Sequence, residues 1–427
     1  MFLSAAFRTG DSNTVNCHIQ QPMRLKTLQS QTNMSNFLQL QNVRFRRGAF
    51  QLEVSLEIQS GELFAIVGPS GSGKTTLQQI IVGLESANSG DIIVMGRSIM
   101  HLQPSERNIG LVPQDLALFP TMSARDNVRF PLEAKSFRGA LGLVQCSILR
   151  QRSQQSWLGL LAHGVPLPRS SVDKSRSIDI EVERILEAVG LASHAHRKPS
   201  QLSGGEQQRV ALARAFALRP DFICMDEPLS ALDRGLRGQM QEEIKQLQRK
   251  FGTTLMYVTH DLAEAFAMSD RIGIMHSGRI LQVGAPSELY RRPHCVEVAK
   301  LTGECNFFEP LERSNLGVEN LYQTRQGVSV ACSVSVSDFP EYRLAIRPEF
   351  LRILKHSDRP NAWNVRIESM QFLGSQLRFT LHTSSGARLT AITPPDSLTS
   401  SLRPGASVFV EHESCDVAMV KLKSSNI

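Results

Sequence analysis

The chain has 427 residues, 41% of them hydrophobic and 20% charged, enough for roughly two or three ordinary domains and incompatible with wholesale disorder. No uninterrupted apolar run approaches the roughly 20 residues of a membrane-spanning helix, so any membrane role has to be peripheral. The net charge of +7 is not that of a diffuse basic body for DNA. Residues 1–33 hold Arg8, Arg24 and Lys26 against Asp11, and residues 137–176 hold Arg138, Arg150, Arg152, Arg169, Lys174 and Arg176 against Asp173, which together account for the whole excess.

Residues 1–33 are polar, rich in Gln, Ser and Asn, and without helical or strand period. They read as a tail. Their acid-poor composition faintly resembles an organelle transit peptide, while Met34 just before the first strand pattern, Phe37–Leu40, points instead to a dispensable extension or an upstream start. From Leu38 to about Val94 the sequence predicts short strands and turns. Within them an apolar strand, Leu63–Val67, runs into Gly68-Pro69-Ser70-Gly71-Ser72-Gly73-Lys74-Thr75-Thr76 and then a helical pattern, Leu77–Leu84. Strand, glycine loop and helix in that order are a phosphate-binding loop. The glycines let backbone N–H groups wrap a phosphate, the helix adds its positive end, Lys74 reaches the outer phosphates and Thr75 offers a hydroxyl to Mg²⁺.

Residues 137–176 mix Gly, Ser and Arg with an apolar patch at Trp157–Leu161, then Pro166 and Pro168. From Ile180 to Ile280 helical and strand-like segments alternate, which predicts an α/β core. Leu202-Ser203-Gly204-Gly205-Glu206-Gln207-Gln208-Arg209 opens a helix and is a second glycine-rich anion-binding start. One triphosphate does not need two such helix ends from one molecule, so the second points to a partner. Asp221–Glu227 is a buried-strand pattern ending in two carboxylates, with Asp226 placed for the Mg²⁺ shell and Glu227 for the proton of an attacking water. Seven scattered cysteines show no metal-like spacing and suit a reduced, cytosolic protein, with Cys224 a small core residue. Beyond about Gly303, strand-like runs at Tyr342–Ile346, Asn364–Ile367, Gln376–Leu381 and Ser407–Val410 predict a small all-β domain.

On the Gly68–Thr76 loop, the Leu202–Arg209 run and Asp226-Glu227, the chain resembles the ATP-binding subunits of ABC transporters over residues 38 to about 300. The resemblance implies an α/β P-loop NTPase cassette with a helical subdomain over residues 34–300, with 137–176 as a basic insertion. It also implies that two copies, or the chain and a paralogue, close head to tail. Each ATP then lies between Lys74, Thr75 and Asp226 of one subunit and Ser203, Gly204 and Gly205 of the other. Gln114 matches the glutamine that senses Mg²⁺ and the attacking water, Ser230–Asp233 the loop that crosses the dimer interface, and His260 the histidine that holds the γ-phosphate and orients Glu227. Phe45 sits where the family places an aromatic on adenine, with Phe50 the fallback and a plain core role the alternative.

Residues 270–308 are similar to the importer subfamily with an additional C-terminal domain, here 301–427. Leu344–Glu349 and the later strands resemble its all-β, OB-fold-like domain, often called TOBE. Without clustered aromatics and basic residues, that domain is not expected to bind nucleic acid. The resemblance implies a peripheral subunit at the cytoplasmic face of the cell membrane. Its partners would be transmembrane permease subunits and, indirectly, an extracytoplasmic solute-binding protein. Gly303-Glu304-Cys305-Asn306-Phe307-Phe308 leans towards polyamine or ferric-iron members over those for sugars, sulfate or molybdate, and glycerol phosphates. The alternative is a soluble ABC-type ATPase acting on DNA or ribosomes. The insertion is expected either to contact the permease or the anionic leaflet, or to be a tolerated surface loop.

Overall fold

The structure, a computed structural model, describes residues 36–136, 172–230, 232–316, 319–335, 341–359 and 362–422. The tail of residues 1–33 and most of the basic segment, residues 137–171, lie outside the described residues, as do the expectations attached to them.

Alternating apolar residues make β1 (Asn36–Arg47) and β2 (Phe50–Gln59) an antiparallel hairpin with one face buried, in the register Val43 opposite Val54 and Phe45 opposite Leu52. β3 (Leu63–Val67) is buried along its whole length and feeds α1 (Lys74–Val82). Gly83 ends α1 at φ 91. A Cβ there would lie 2.7 Å from Arg107 Nε, and the buried Arg107 donates to the Ile80 and Ile81 carbonyls at 2.8 Å each. The guanidinium thus satisfies carbonyls that the helix end leaves without partners. β4 (Ser89–Val94) and β5 (Arg97–Ser98) complete an antiparallel sheet of order β2-β1-β4-β5.

β6 (Ile109–Val112) leads to three helices that pack on one another, α2 (Ala124–Ser136), α3 (Val172–Ala188) and α4 (Gly204–Ala217). Arg125 and Arg129 of α2 both pair with Asp179 of α3. Next come β7 (Phe222–Asp226), α5 (Arg234–Phe251), β8 (Thr254–Thr259), α6 (Leu262–Met268), β9 (Arg271–His276) and β10 (Arg279–Gly284). The central sheet has the order β10-β9-β3-β8-β7-β6, parallel except for β10. Its strands read as continuous apolar runs because both faces are covered. Ala65, Ile223, Met225, Leu255 and Tyr257 turn to the core shared with α4 and α5, while Phe64, Ile66, Cys224, Met256 and Val258 turn to the core shared with α1 and the antiparallel sheet. Cys224 is fully buried, as expected of a core residue.

α7 (Pro286–Arg291) and α8 (Val296–Leu301) follow, and from there the described chain is all β. β11 (Asn306–Phe308), β12 (Pro310–Leu316), β13 (Glu319–Thr324), β14 (Ser329–Cys332), β15 (Tyr342–Ile346), β16 (Arg352–Leu354), β17 (Trp363–Phe372), β18 (Leu377–Thr383), β19 (Arg388–Thr393), β20 (Ser407–Glu411) and β21 (Val417–Lys421) form sheets β11-β15-β21, β12-β13-β14 and β16-β20-β17-β18-β19. Phe308, Tyr322, Trp363 and Phe379 anchor their common core. α8 sits between the two parts: Val298 belongs to the cassette core and Ala299 packs with Ala345 and Val420 of the β domain.

Candidate nucleotide site

At Gly68 a Cβ would lie 2.0 Å from the Met275 carbonyl oxygen of β9, so only glycine lets the chain leave β3 so close to its neighbour. Gly71 (φ 78) and Gly73 (φ 105) continue the wrap, with Pro69, Ser70 and Gly71 on its exposed rim and Thr76 half-buried behind it. The loop is braced from the turn between β9 and β10, where Gly278 N–H donates to Ser72 O at 2.9 Å. Ser72 is buried, and among the described residues its hydroxyl has no partner. Lys74 Nζ donates to the carbonyls of Gly68 at 2.8 Å and Pro69 at 3.1 Å, all at the positive end of α1. Burial pulls the Lys74 pKa down, against the opposing pull of Glu227 and Asp226.

Asp226 is the last residue of β7 and lies beside Val258 of β8. Thr75 Oγ1 donates to Asp226 Oδ1 at 3.4 Å. Burial raises the Asp226 pKa, Thr75 lowers it, Glu227 raises it and Lys74 lowers it, leaving a carboxylate short of positive charge. A cation would relieve that deficit. A hydroxyl and a carboxylate are hard oxygen donors, and Mg²⁺ takes one or two protein oxygens together with waters and phosphates. Among the described residues no group of three or more His, Cys, Asp or Glu could form a protein-only cage. The donor set therefore fits Mg²⁺ held jointly with a phosphate.

Glu227 leaves β7 at φ 44, its N–H held by the Val258 carbonyl at 2.9 Å. Positive φ at a non-glycine residue is strained, and it is held here by the neighbouring strand. The turn aims the carboxylate at two partners: Oε1 lies 2.9 Å from His260 Nδ1, and Oε2 accepts from Gln114 Nε2 at 3.2 Å. Gln114 follows β6, Glu227 follows β7 and His260 follows β8, so three predicted residues meet at the carboxyl ends of three adjacent parallel strands.

Ser203 is the N-cap of α4, accepting from Glu206 N–H at 3.3 Å and donating to Glu206 Oε2 at 2.9 Å. Ser203 and Gly204 are exposed, and none of Ser203, Gly204 and Gly205 hydrogen-bonds to the phosphate loop among the described residues. A Cβ on Gly204 or Gly205 would meet nothing within 4 Å. Of the two aromatics, Phe45 is 7% exposed within the core, and Phe50 is the one at the loop: a Cβ on Gly73 would lie 2.8 Å from its ring. Ser230 Oγ donates to Glu227 O at 3.0 Å, Asp233 caps α5, and Leu232 O accepts from Arg237, which also holds Asp261. Arg237 and Gly278 had no local sequence signal. Only the fold brings them beside the site.

An anion cradle beside a carboxylate able to take a proton is the working arrangement of a phosphate-loop nucleoside triphosphatase. Residues 52–230 match the ABC transporter family model and residues 344–419 the TOBE domain model. The chain is 37% identical over 380 residues to the spermidine/putrescine import ATP-binding protein PotA of Rubrobacter xylanophilus, covering 87% of this chain and 90% of that protein. It is 38% identical over 341 residues to the Fe(3+) ions import ATP-binding protein FbpC 2 of Rhizobium meliloti, covering 78% of this chain and 76% of that one. The dimeric post-hydrolysis structure of the ATP-binding cassette MJ0796 bound to ADP and Pi aligns at 30% identity and a TM-score of 0.44, covering 58% of this chain and 98% of that one. The chain belongs to the ABC transporter family, as the ATP-hydrolysing subunit of an importer with a C-terminal TOBE domain. Such a subunit works with membrane permeases and is peripheral to the membrane, and no described helix is long and apolar enough to cross one.

Proposed function

We propose that this chain hydrolyses MgATP at the cytoplasmic face of a membrane to drive uptake of a polyamine or ferric iron. The observation that carries the mechanism is Glu227, held between His260 and Gln114 at a strained strand end. Lys74 and the Gly68–Thr76 amides bind the phosphates, Phe50 covers the adenine side, and Thr75, Asp226 and Gln114 would hold Mg²⁺, which when bound neutralises phosphate charge. Glu227 takes the proton of the attacking water while His260 keeps the carboxylate aimed and contacts the γ-phosphate. Ser203, Gly204 and Gly205 of a second copy, the first two exposed, complete the cradle, so hydrolysis depends on dimer closure. The cargo assignment is supported by relatives named for spermidine/putrescine and for Fe(3+), matched at similar identity.

Glu227→Gln is expected to lower turnover about 100-fold or more with ATP binding retained, measured by phosphate release and equilibrium nucleotide binding. Near-normal hydrolysis removes Glu227 from this role. Uptake of labelled spermidine and of ferric iron by cells lacking the gene separates the two cargoes, and copurification from detergent extracts identifies the permease pair.

A further inference from the structure

The carboxyl of Glu264, the third residue of α6, is buried behind the hydrolytic site at 5% exposure. Among the described residues its Oε1 has no partner. Its Oε2 accepts from Thr259 Oγ1 at 3.4 Å, and the same hydroxyl accepts the N–H of Asp261 at 3.0 Å. Those two bonds span the residues on either side of His260. Asp261 Oδ1 in turn accepts Glu264 N–H at 3.1 Å, and its Oδ2 pairs with Arg237 at 3.0 Å, while Tyr257 OH donates to Glu264 O at 3.3 Å. The titratable and charged groups facing Glu264 are therefore Asp261 and His260 beside it in the chain, Tyr257 from β8 and Arg237 from α5.

We propose that Glu264 is a positioning residue for hydrolysis, its carboxyl bracing, through the Thr259 hydroxyl, the backbone step that presents His260 to Glu227. This rests on the assignment of His260 and Glu227 made above. An ionised Glu264 would still accept from Thr259, but it would set a second negative charge against Asp261, whose Oδ1 holds the Glu264 N–H, and that repulsion loosens the step from Asp261's side. Burial and then Asp261 push its pKa up to about 7, against the pull of Thr259, Arg237 and His260. The brace thus fails as pH rises through neutrality.

The test is steady-state ATPase activity of the full chain from about pH 6 to about pH 8.5, for the native protein, Glu264→Gln and Thr259→Val. A carboxyl titrating near 7 is about one-tenth protonated at pH 8, so native kcat should fall by up to about tenfold while KM for ATP stays level. Glu264→Gln keeps the acceptor and cannot ionise, so its kcat should match the native value near pH 6 and not share that fall. Thr259→Val, which cuts the relay but keeps the carboxyl, should lower kcat at every pH. Superimposed profiles for these two, or native kcat in Thr259→Val, overturn the proposal; hydrolysis insensitive to Glu227→Gln instead overturns the assignment beneath it.

Discussion

Arg347 sits just past β15, is 2% exposed, and reaches back into α7, α8 and the turn that follows them. Its guanidinium donates to Tyr290 O (3.0 and 3.2 Å), Ala299 O (2.9 Å), Gly303 O (2.9 Å), Glu304 O (3.2 Å) and Thr302 Oγ1 (2.7 Å), and lies 4.2 Å from the Tyr290 ring centroid. Gly303, at φ 147, leaves room for it: a Cβ there would lie 3.4 Å from Arg347 Nη1. Arg347→Met keeps the length and removes every donor. The bonds to Ala299 O and Thr302 Oγ1 are buried; the Thr302 hydroxyl keeps Val298 O and Ala299 O as partners, but each charge-assisted bond lost costs about 1.5–3 kcal/mol. Relief of the buried guanidinium offsets part of that, so a net loss of about 3 kcal/mol follows. With a urea slope of about 1–3 kcal/mol/M, the β-domain midpoint should fall by roughly 1–3 M. Trp363 is buried in that domain and Trp157 is the only other tryptophan, so fluorescence in a Trp157→Phe background reports the domain directly. A midpoint within about 0.3 M of the parent refutes the view that Arg347 ties the two parts together.

Gly278→Ala should cost about 2–4 kcal/mol and weaken ATP binding, because a Cβ at φ 78 would lie 1.9 Å from Gln51 O, and the same residue donates to Ser72 O of the phosphate loop. Unchanged thermal unfolding would exclude that clash. Glu264 also makes a prediction for stability. Its folded pKa lies above the ordinary 4.5, so its favourable contribution is complete below about pH 4.5 and is lost as pH rises through about 7. Glu264→Gln should therefore gain up to about 3 kcal/mol relative to the native protein between those limits; a pH-independent difference in urea midpoint would contradict it.

Much of the candidate site was legible because its residues lie in contiguous runs whose local geometry is the chemistry. A strand, a glycine loop and a helix cradle a phosphate wherever they occur in that order, and the structure puts α1 at Lys74 and the carboxylates at the end of β7. Tyr342–Ile346 is recovered as β15 from its apolar run, and Asn364–Ile367 lies within β17, where alternation across a half-buried sheet is a local signal. Phe45 and Phe50 are the contrast. Position relative to Gly68 favoured Phe45, but the strand register carries its side chain into the core and leaves Phe50 on Gly73.

By itself, then, the sequence determined the triphosphate chemistry, the α/β cassette and the trailing β domain, each encoded by neighbours along the chain. Tertiary structure alone decided which aromatic meets the loop, and that Arg107 and Arg347 close helix ends far from them in sequence. Those contacts join residues whose separation along the chain carries no period or motif. They exist only once the parallel strands are side by side and burial makes every polar group find a partner.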